Sequence, residues 1–249
     1  MRLLQGLRRD MQLRAALGAG PWLDLLKDCQ REIASLDPHP HYLASYRSDE
    51  PFYWSHLPQW IYSDFAKGGA TRCLDIGCAY GTLLVYTHRV TGCEASGIDF
   101  VDHYVSKSLL AKYQVRFQVC NIEVEPFPWD GSFDIILFTE VLEHLNFQCV
   151  PTLTGIGERL SPQGRLYLST PDAAEWGVTT KYYGSYQDLP LPCVPMPEHE
   201  PIDDHIWHFS LPELLAFLAE ARLRVIRLEY SRPPRGKRHF NATLCRQAS

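Results

Sequence analysis

The chain has 249 residues, 45% of them hydrophobic and 12% aromatic, a composition that suits a packed protein of one large α/β domain with additions and excludes general disorder. Its net charge of −5 provides no global basic field for wrapping nucleic acid, although a local patch is compatible with it. The eight cysteines (29, 73, 78, 93, 120, 149, 193 and 245) show no C-x-x-C pair and several sit in apolar runs, so buried thiols in a reducing, cytoplasmic setting are expected, and no apolar run approaches the length of a membrane span.

Residues 1–20, MRLLQGLRRDMQLRAALGAG, have the period of an amphipathic helix. Leu3, Leu4, Leu7, Met11 and Ala15 share a face, and Arg2, Arg8, Arg9 and Arg14 lie elsewhere. The run lacks the continuous apolar core of a signal peptide. Docking on the protein's own core is the expected role; contact with a membrane surface, or a transit peptide, is the alternative. Gly18-Ala19-Gly20-Pro21 ends this helix, and a second is expected over 22–36, broken by Asp37-Pro38-His39-Pro40. Residues 41–66 hold Tyr42, Tyr46, Phe52, Tyr53, Trp54, Trp60, Tyr62 and Phe65, with helix expected around a break near Pro58. These aromatics either cover a ligand cleft or pack the N-terminal extension.

From residue 71 strands and helices alternate. Strands are predicted at 71–76, 94–99, 115–121, 133–139 and 164–170, and helices at 81–91, 102–112 and 140–160. Such βα alternation implies a mostly parallel sheet with helices on both faces and ligands at the carboxyl ends of the strands. Residues 172–204 lack regular pattern and carry five prolines between Pro190 and Pro201; a loop this long inside a compact domain is usually functional or mobile. Ser210 is placed to cap a helix at 211–222 with Pro212 in its first turn. Two last strands, 223–230 and 238–245, flank the turn SRPPRGKR as an antiparallel hairpin.

The central motif is CLDIGCAYGT, residues 73–82. A buried strand breaks into a glycine turn, where missing Cβ atoms let a ligand approach the backbone, and the following helix start offers unpaired N–H groups. Asp75 inside the strand is costly unless bonded or functional. No Gly-Lys-Ser/Thr follows, so this is not a P-loop, and Ala79 breaks a full GxGxxG fingerprint. The run resembles motif I of the class I S-adenosylmethionine-dependent methyltransferases, departing from it at Ala79-Tyr80. Asp99, at the end of the second strand and followed by Phe100, is positioned to accept from both hydroxyls of a ribose. The resemblance extends over about residues 70 to 230. It implies a Rossmann-like seven-stranded methyltransferase sheet, mostly parallel with a C-terminal antiparallel hairpin. It also implies a cofactor site formed by Asp75, Gly77, Cys78, Ala79, Tyr80, Gly81, Asp99, Phe100, Asn121, Ile122 and Thr139, with Asn121 on the adenine amino group and Ile122 against the ring. NAD or FAD binding is the rival for this architecture, and the antiparallel terminal strands argue against it. The expected organisation is a helical, aromatic-rich cap over 1–66 and a methyltransferase domain over 67–249 with a substrate-loop insertion at 172–204.

The fourth strand runs into Thr139-Glu140-Val141-Leu142-Glu143-His144-Leu145. On a helix starting here Glu140, Glu143 and His144 share a face, with Leu142 and Leu145 toward the core. Two carboxylates and an imidazole together call for a compensating divalent cation. E-x-x-E-H resembles the metal site of the small-RNA 3′-terminal 2′-O-methyltransferases, and similar helices occur in the ubiquinone-pathway O-methyltransferases. The former resemblance makes His205, in Asp204-His205-Ile206-Trp207-His208, the fourth ligand beside Glu140, Glu143 and His144, for Mg²⁺, Mn²⁺ or another divalent ion. The same pentad occurs in methyltransferases without a metal, where Glu140 caps the helix and His144 acts as a base or substrate contact. His144, His205 and His208 are the candidate catalytic histidines, whereas His199 reads as part of a solvated loop.

These features imply an S-adenosylmethionine-dependent O-methyltransferase for a small hydroxylated molecule, a sugar, glycan or phenol. The alternatives are RNA 3′-terminal 2′-O-methylation, which net acidity disfavours, and a non-catalytic methyltransferase-like module.

Overall fold

The computed structural model describes residues 2–36, 39–178, 181–196, 199–231, 233–234 and 236–247, with side chains from residue 8 onward. The faces assigned to Arg2, Leu3, Leu4 and Leu7, the Asp37-Pro38 break and parts of the 232–235 turn lie outside the described residues.

The seven strands are β1 (Arg72–Ile76), β2 (Glu94–Asp99), β3 (Arg116–Val119), β4 (Phe133–Thr139), β5 (Leu160–Pro171), β6 (Leu223–Ser231) and β7 (His239–Arg246). They form one sheet in the order β3-β2-β1-β4-β5-β7-β6. Strands β1 to β5 pair in parallel, and β7 runs antiparallel to both β5 and β6. The expected Rossmann-like sheet and terminal hairpin are therefore present. Strand order reverses between β1 and β4, so the crevice at their carboxyl ends is where a ligand is expected.

Side-chain alternation assigns the two faces. Leu74, Ile76, Ile136, Phe138, Leu166 and Leu168 point to the side covered by α7 (Cys149–Glu158) and α9 (Leu211–Glu220). Cys73, Ile135, Leu137 and Tyr167 point to the other side. There α1 (Arg2–Leu17), α2 (Pro21–Leu36), α3 (Arg47–Tyr53), α4 (Leu57–Phe65), α5 (Thr82–Thr91) and α6 (Lys107–Tyr113) surround one core that includes Leu13, Leu17, Leu26, Phe52, Trp60, Leu84 and Leu109. The N-terminal extension thus docks on the protein's own core. Ser210 closes a capping box with Glu213 at the start of α9, as its position predicts.

Other elements differ from expectation. The break near Pro58 falls earlier, at Trp54, and Pro58 opens α4, where its missing N–H costs no hydrogen bond. Helix α6 begins only at Lys107, where Ser106 caps it by accepting from Leu109 N. The predicted helix 140–160 does not form as one element. Glu140 adopts φ +54°, outside helical space, and a single 3-10 turn, Leu142–His144, precedes an extended stretch before α7. A tertiary tie explains the break: Glu143 O accepts from Ile206 N at 2.7 Å and Trp207 N at 3.2 Å, so it is not available to an α-helical ladder. Leu142 and Leu145 are buried as expected.

All eight cysteines are free thiols, buried except Cys193. Among the described residues no helix is long and apolar enough to cross a membrane.

Glu50, on α3, is buried under the glycine turn, where its Oε1 accepts from Gln30 Nε2 at 2.8 Å and Tyr42 OH at 3.3 Å. Burial pushes its carboxyl up to about 7. A raised folded-state carboxyl contributes stability that is complete below about pH 4.5 and is lost as pH rises through about 7. Urea titrations across this window should show a fall of about 3 kcal/mol in unfolding free energy from Glu50. Glu50→Gln, which keeps the accepting oxygen, should flatten that slope and be the more stable protein at pH 8; an unchanged slope would remove Glu50 as its source.

Candidate active site

The glycine turn is built by φ values that favour glycine: +73° at Gly77 and +75° at Gly81, with Ala79 at +42°. Gly77 N and Cys78 N both donate to Ile98 O, at 2.8 and 3.2 Å, which fixes the turn to β2. Asp99 then clamps it from the next strand end: its Oδ2 accepts from Ala79 N at 2.9 Å. Burial raises the Asp99 carboxyl, and these backbone N–H groups partly offset the rise.

A cleft of about 340 Å³ opens at the switch point. Of the predicted cofactor residues, Gly77, Ala79, Tyr80, Asp99, Phe100, Asn121, Ile122 and Thr139 line it. Asp75 and Cys78 instead border a smaller adjoining cavity of about 20 Å³, shared with Glu50 and Thr82. Asp75 Oδ1 is buried without a hydrogen-bond partner. Its carboxyl is pushed up to about 8, first by burial and then by the charge of Asp99. Cys78 packs its sulfur toward Gly97, and Gly81 lies outside the lining of both cavities. The Asn121 carbonyl oxygen is already engaged by Glu123 N at 3.0 Å. Tyr80 turns toward the N-terminal extension, its hydroxyl 2.9 Å from His41 Nδ1 and its ring 4.9 Å from those of Tyr42 and Tyr46.

At the other end of the cleft Glu143, His144 and His205 each bring one ligand atom within 4.8 Å of the others. This set omits Glu140, the fourth predicted ligand. With φ +54° the Glu140 side chain swings toward β5 and β7, where Ser169 Oγ donates to it at 2.7 Å and His239 Nδ1 stands 2.8 Å away. Glu143 Oε2 accepts from Thr170 Oγ1 at 2.8 Å, whereas Glu143 Oε1 and His144 Nδ1 are buried and have no hydrogen-bond partner. Burial, reinforced by Glu140, raises the Glu143 carboxyl well above the usual range. Burial also lowers His144, and pushes His205 down to about 4.

His208, predicted as catalytic, does not line the cleft. Its Nδ1 faces Gly177 O at 3.0 Å and its Nε2 faces His205 Nδ1 at 2.7 Å. A carbonyl can only accept, so His208 carries its proton on Nδ1. His205 Nδ1 then donates to His208, leaving the Nε2 lone pair of His205 available to a ligand. The His208 ring is thus fixed between Gly177 O and His205 Nδ1. His199 does not line the cleft; its ring lies 4.8 Å from that of Phe147.

Glu123, Asp203, Trp176 and His239 line the cleft without having been singled out in the sequence. Glu123, pushed up to about 7 by burial, accepts from Asn146 N and Phe147 N at 3.0 Å each. Asn146 in turn holds the 172–204 loop by exchanging hydrogen bonds with the backbone of Ile202. His239 opens β7 and pairs with Pro171 at the carboxyl end of β5, a place fixed by strand register. Among the described residues the lining carries Asp99, Glu123, Glu140, Glu143 and Asp203 but no lysine or arginine.

The family described as methyltransferase domain matches residues 53–228. Relatives include the ubiquinone biosynthesis O-methyltransferases of Xanthomonas euvesicatoria pv. vesicatoria, 35% identical over 107 residues, and of Xanthomonas campestris pv. campestris, 32% identical over 103 residues. Each alignment covers 40% of this chain and 42% of the relative, so the match spans less than half the length of these proteins. Among solved structures, 1,6-didemethyltoxoflavin-N1-methyltransferase of Burkholderia thailandensis, with bound 1,6-didemethyltoxoflavin and S-adenosylhomocysteine, is similar with a TM-score of 0.57, 18% identity and 92% of both chains covered. Magnesium protoporphyrin IX methyltransferase of Synechocystis PCC 6803 has a TM-score of 0.56 at 13% identity, over 88% of this chain and 90% of that one. The sheet order, the glycine turn and the family match together identify the chain as a member of the methyltransferase-domain family, a class I S-adenosylmethionine-dependent methyltransferase.

Proposed function

We propose that this protein transfers a methyl group from S-adenosylmethionine to a hydroxyl of a small molecule, a phenol, sugar or glycan, with help from a divalent cation. The observation that carries the reading is the Glu143–His144–His205 cluster on the wall of the cleft, where buried Glu143 Oε1 and His144 Nδ1 make no close hydrogen bond and Asp203 Oδ1 stands 4.0 Å from His144 Nδ1. One oxygen and two nitrogen donors fit Mn²⁺ or Mg²⁺ with positions left for an acceptor. An ion held there supplies Lewis acidity toward the acceptor hydroxyl. The likeness to the ubiquinone biosynthesis O-methyltransferases supports oxygen as the methylated atom.

The chain's own residues bind, orient and exclude water. Gly77 and Ala79 offer backbone to the cofactor, Asp99 suits its ribose, and Phe100 and Ile122 border its ring. Asp75, at the adjoining small cavity, suits the ammonium group of its methionine portion. The cap over 1–66 contributes His41, Tyr46 and Tyr53, and the 172–204 loop contributes Trp176, Ile202 and Asp203; together they restrict water around the methyl group. A reducing, cytoplasmic setting fits the eight free thiols. An RNA 3′ end would meet the same ligand cluster, but among the described residues the lining has five carboxylates and no lysine or arginine to pair with its phosphates.

Calorimetry on chelator-treated protein should show saturable S-adenosylhomocysteine binding, and electron paramagnetic resonance should show one bound Mn²⁺. Assayed against 4-methylcatechol, a methyl glycoside and a short RNA, the protein should methylate a small neutral acceptor and leave the RNA unmodified. Absence of S-adenosylhomocysteine binding would overturn the transferase reading. Activity untouched by chelator, without Mn²⁺ binding, would remove the cation alone.

A further inference from the structure

An acceptor hydroxyl gives up its proton as its oxygen is methylated. If His144 and His205 hold a cation and both nitrogens of His208 are engaged, none of the three histidines predicted as catalytic is free to receive it. A different histidine borders the same cleft. His239 opens β7 and is buried, with its backbone fixed opposite Pro171 on one side and Ser231 on the other. Its ring is held by Tyr53, centroids 4.9 Å apart, and by Trp176 at 5.5 Å. Nδ1 lies 2.8 Å from Glu140 Oε2 as a close ion-pair contact outside hydrogen-bond alignment, and both ring nitrogens are buried without a hydrogen-bond partner. Glu140 is itself fixed by Ser169 Oγ at 2.7 Å and by its own N–H donating to Ser169 O at 2.9 Å.

We infer that His239, oriented by Glu140, is the base that takes the proton of the acceptor hydroxyl. The inference rests on the O-methylation reading above. The negative charge of a carboxylate oxygen 2.8 Å from Nδ1 favours the tautomer protonated there and leaves the Nε2 lone pair for the hydroxyl. As the O–H proton moves to Nε2, the oxygen electron pair forms the new C–O bond and the C–S bonding pair leaves with sulfur. Glu140 stabilises the imidazolium that results, and its proton passes to solvent through the open cleft. Trp176 separates the two groups: its ring centroid lies 5.6 Å from that of His205 and 5.5 Å from that of His239. Its buried Nε1–H has no hydrogen-bond partner, and it provides an aromatic surface between the cation cluster and the base. Glu140, apart from the other predicted ligands, thereby acquires a distinct role.

The test uses His239→Asn and the near-isosteric Glu140→Gln, with S-adenosylhomocysteine affinity measured on each protein to verify the cofactor site. A base matters most for a weakly acidic hydroxyl. His239→Asn should lose about 10²- to 10³-fold in single-turnover rate with 4-methylcatechol and far less with the more acidic 4-nitrocatechol. Imidazole ¹⁵N NMR of the cofactor-free protein should show His239 protonated at Nδ1, and Glu140→Gln should change that pattern. Equal losses for both catechols, or a His239 signal indifferent to Glu140→Gln, would overturn the inference. If the wild-type protein methylates no hydroxyl, the O-methylation reading fails first, and the NMR result alone decides whether the pair exists.

Discussion

Glu143→Gln is expected to lower methyl transfer by at least about a hundredfold, because loss of a cation's help costs several kcal/mol in the transition state. S-adenosylhomocysteine affinity should stay within about twofold of wild type, since the substitution is near-isosteric and leaves the backbone between Val141 and Gly77 unchanged. Stability should hold or rise. The carboxamide oxygen can still accept from Thr170 Oγ1, and the neutral amide removes the cost of burying an acid beside Glu140. Bound Mn²⁺ should disappear from the electron paramagnetic resonance spectrum. This combination, activity and metal lost while fold and cofactor binding remain, separates a ligand from a structural residue. Full activity with undiminished Mn²⁺ binding would exclude Glu143 from the chemistry.

Gly77→Ala should do the opposite, damaging the cofactor site through the backbone. At φ +73° a Cβ costs about 1–2 kcal/mol by itself. It would also stand 2.3 Å from Val141 Cγ2, on a β-branched side chain that cannot rotate away cheaply. Relief requires moving either the glycine turn or the segment between Glu140 and Glu143. The expected result is a loss of about 2–4 kcal/mol in unfolding free energy and at least about a tenfold fall in S-adenosylhomocysteine affinity. Gly92→Ala is the control: its φ of +71° is similar, but a Cβ there meets nothing within 4 Å. It should cost about 1 kcal/mol and leave affinity unchanged. Equal effects at the two glycines would mean that strain alone, without the contact to Val141, limits the turn.

Much of the fold was legible because each strand carried its own local signal. Apolar runs ending in Gly77, Asp99 and Thr139 gave β1 nearly and β2 and β4 to the residue, and Ser210-Leu211-Pro212-Glu213 marked the start of α9. The cofactor half of the site followed, since strand ends in a parallel sheet converge without knowledge of side-chain contacts. The acceptor half was less legible. The spacing of Glu140, Glu143 and His144 fits a helix, but the positive φ at Glu140 and the tie from Glu143 O to Ile206 and Trp207 separate Glu140 from the other two. The family resemblance pointed to His205, and its ligand atom lies within 4.8 Å of those of Glu143 and His144. His239 has no motif, and its position depends on the register of β7 against β5. The long side chain of Trp176 lines the cleft from a four-residue helix, α8 (Ala173–Trp176), inside a stretch that reads only as irregular.

The 172–204 loop is fastened at both ends. At one end Asp172 caps α8 and bridges Phe209; at the other Asn146 grips Ile202, and Glu143 holds Ile206 and Trp207. Between these ends the chain is tied again: Tyr186 and Leu189 are buried in the core, Tyr186 OH accepts from Cys149 N at 2.7 Å, and Pro190 O accepts from Gln148 N at 2.9 Å. Residues 181–196 therefore serve as a brace outside the cleft lining, so that the rigidity of the wall formed by Trp176, Ile202 and His205 is set by core packing at some remove from it.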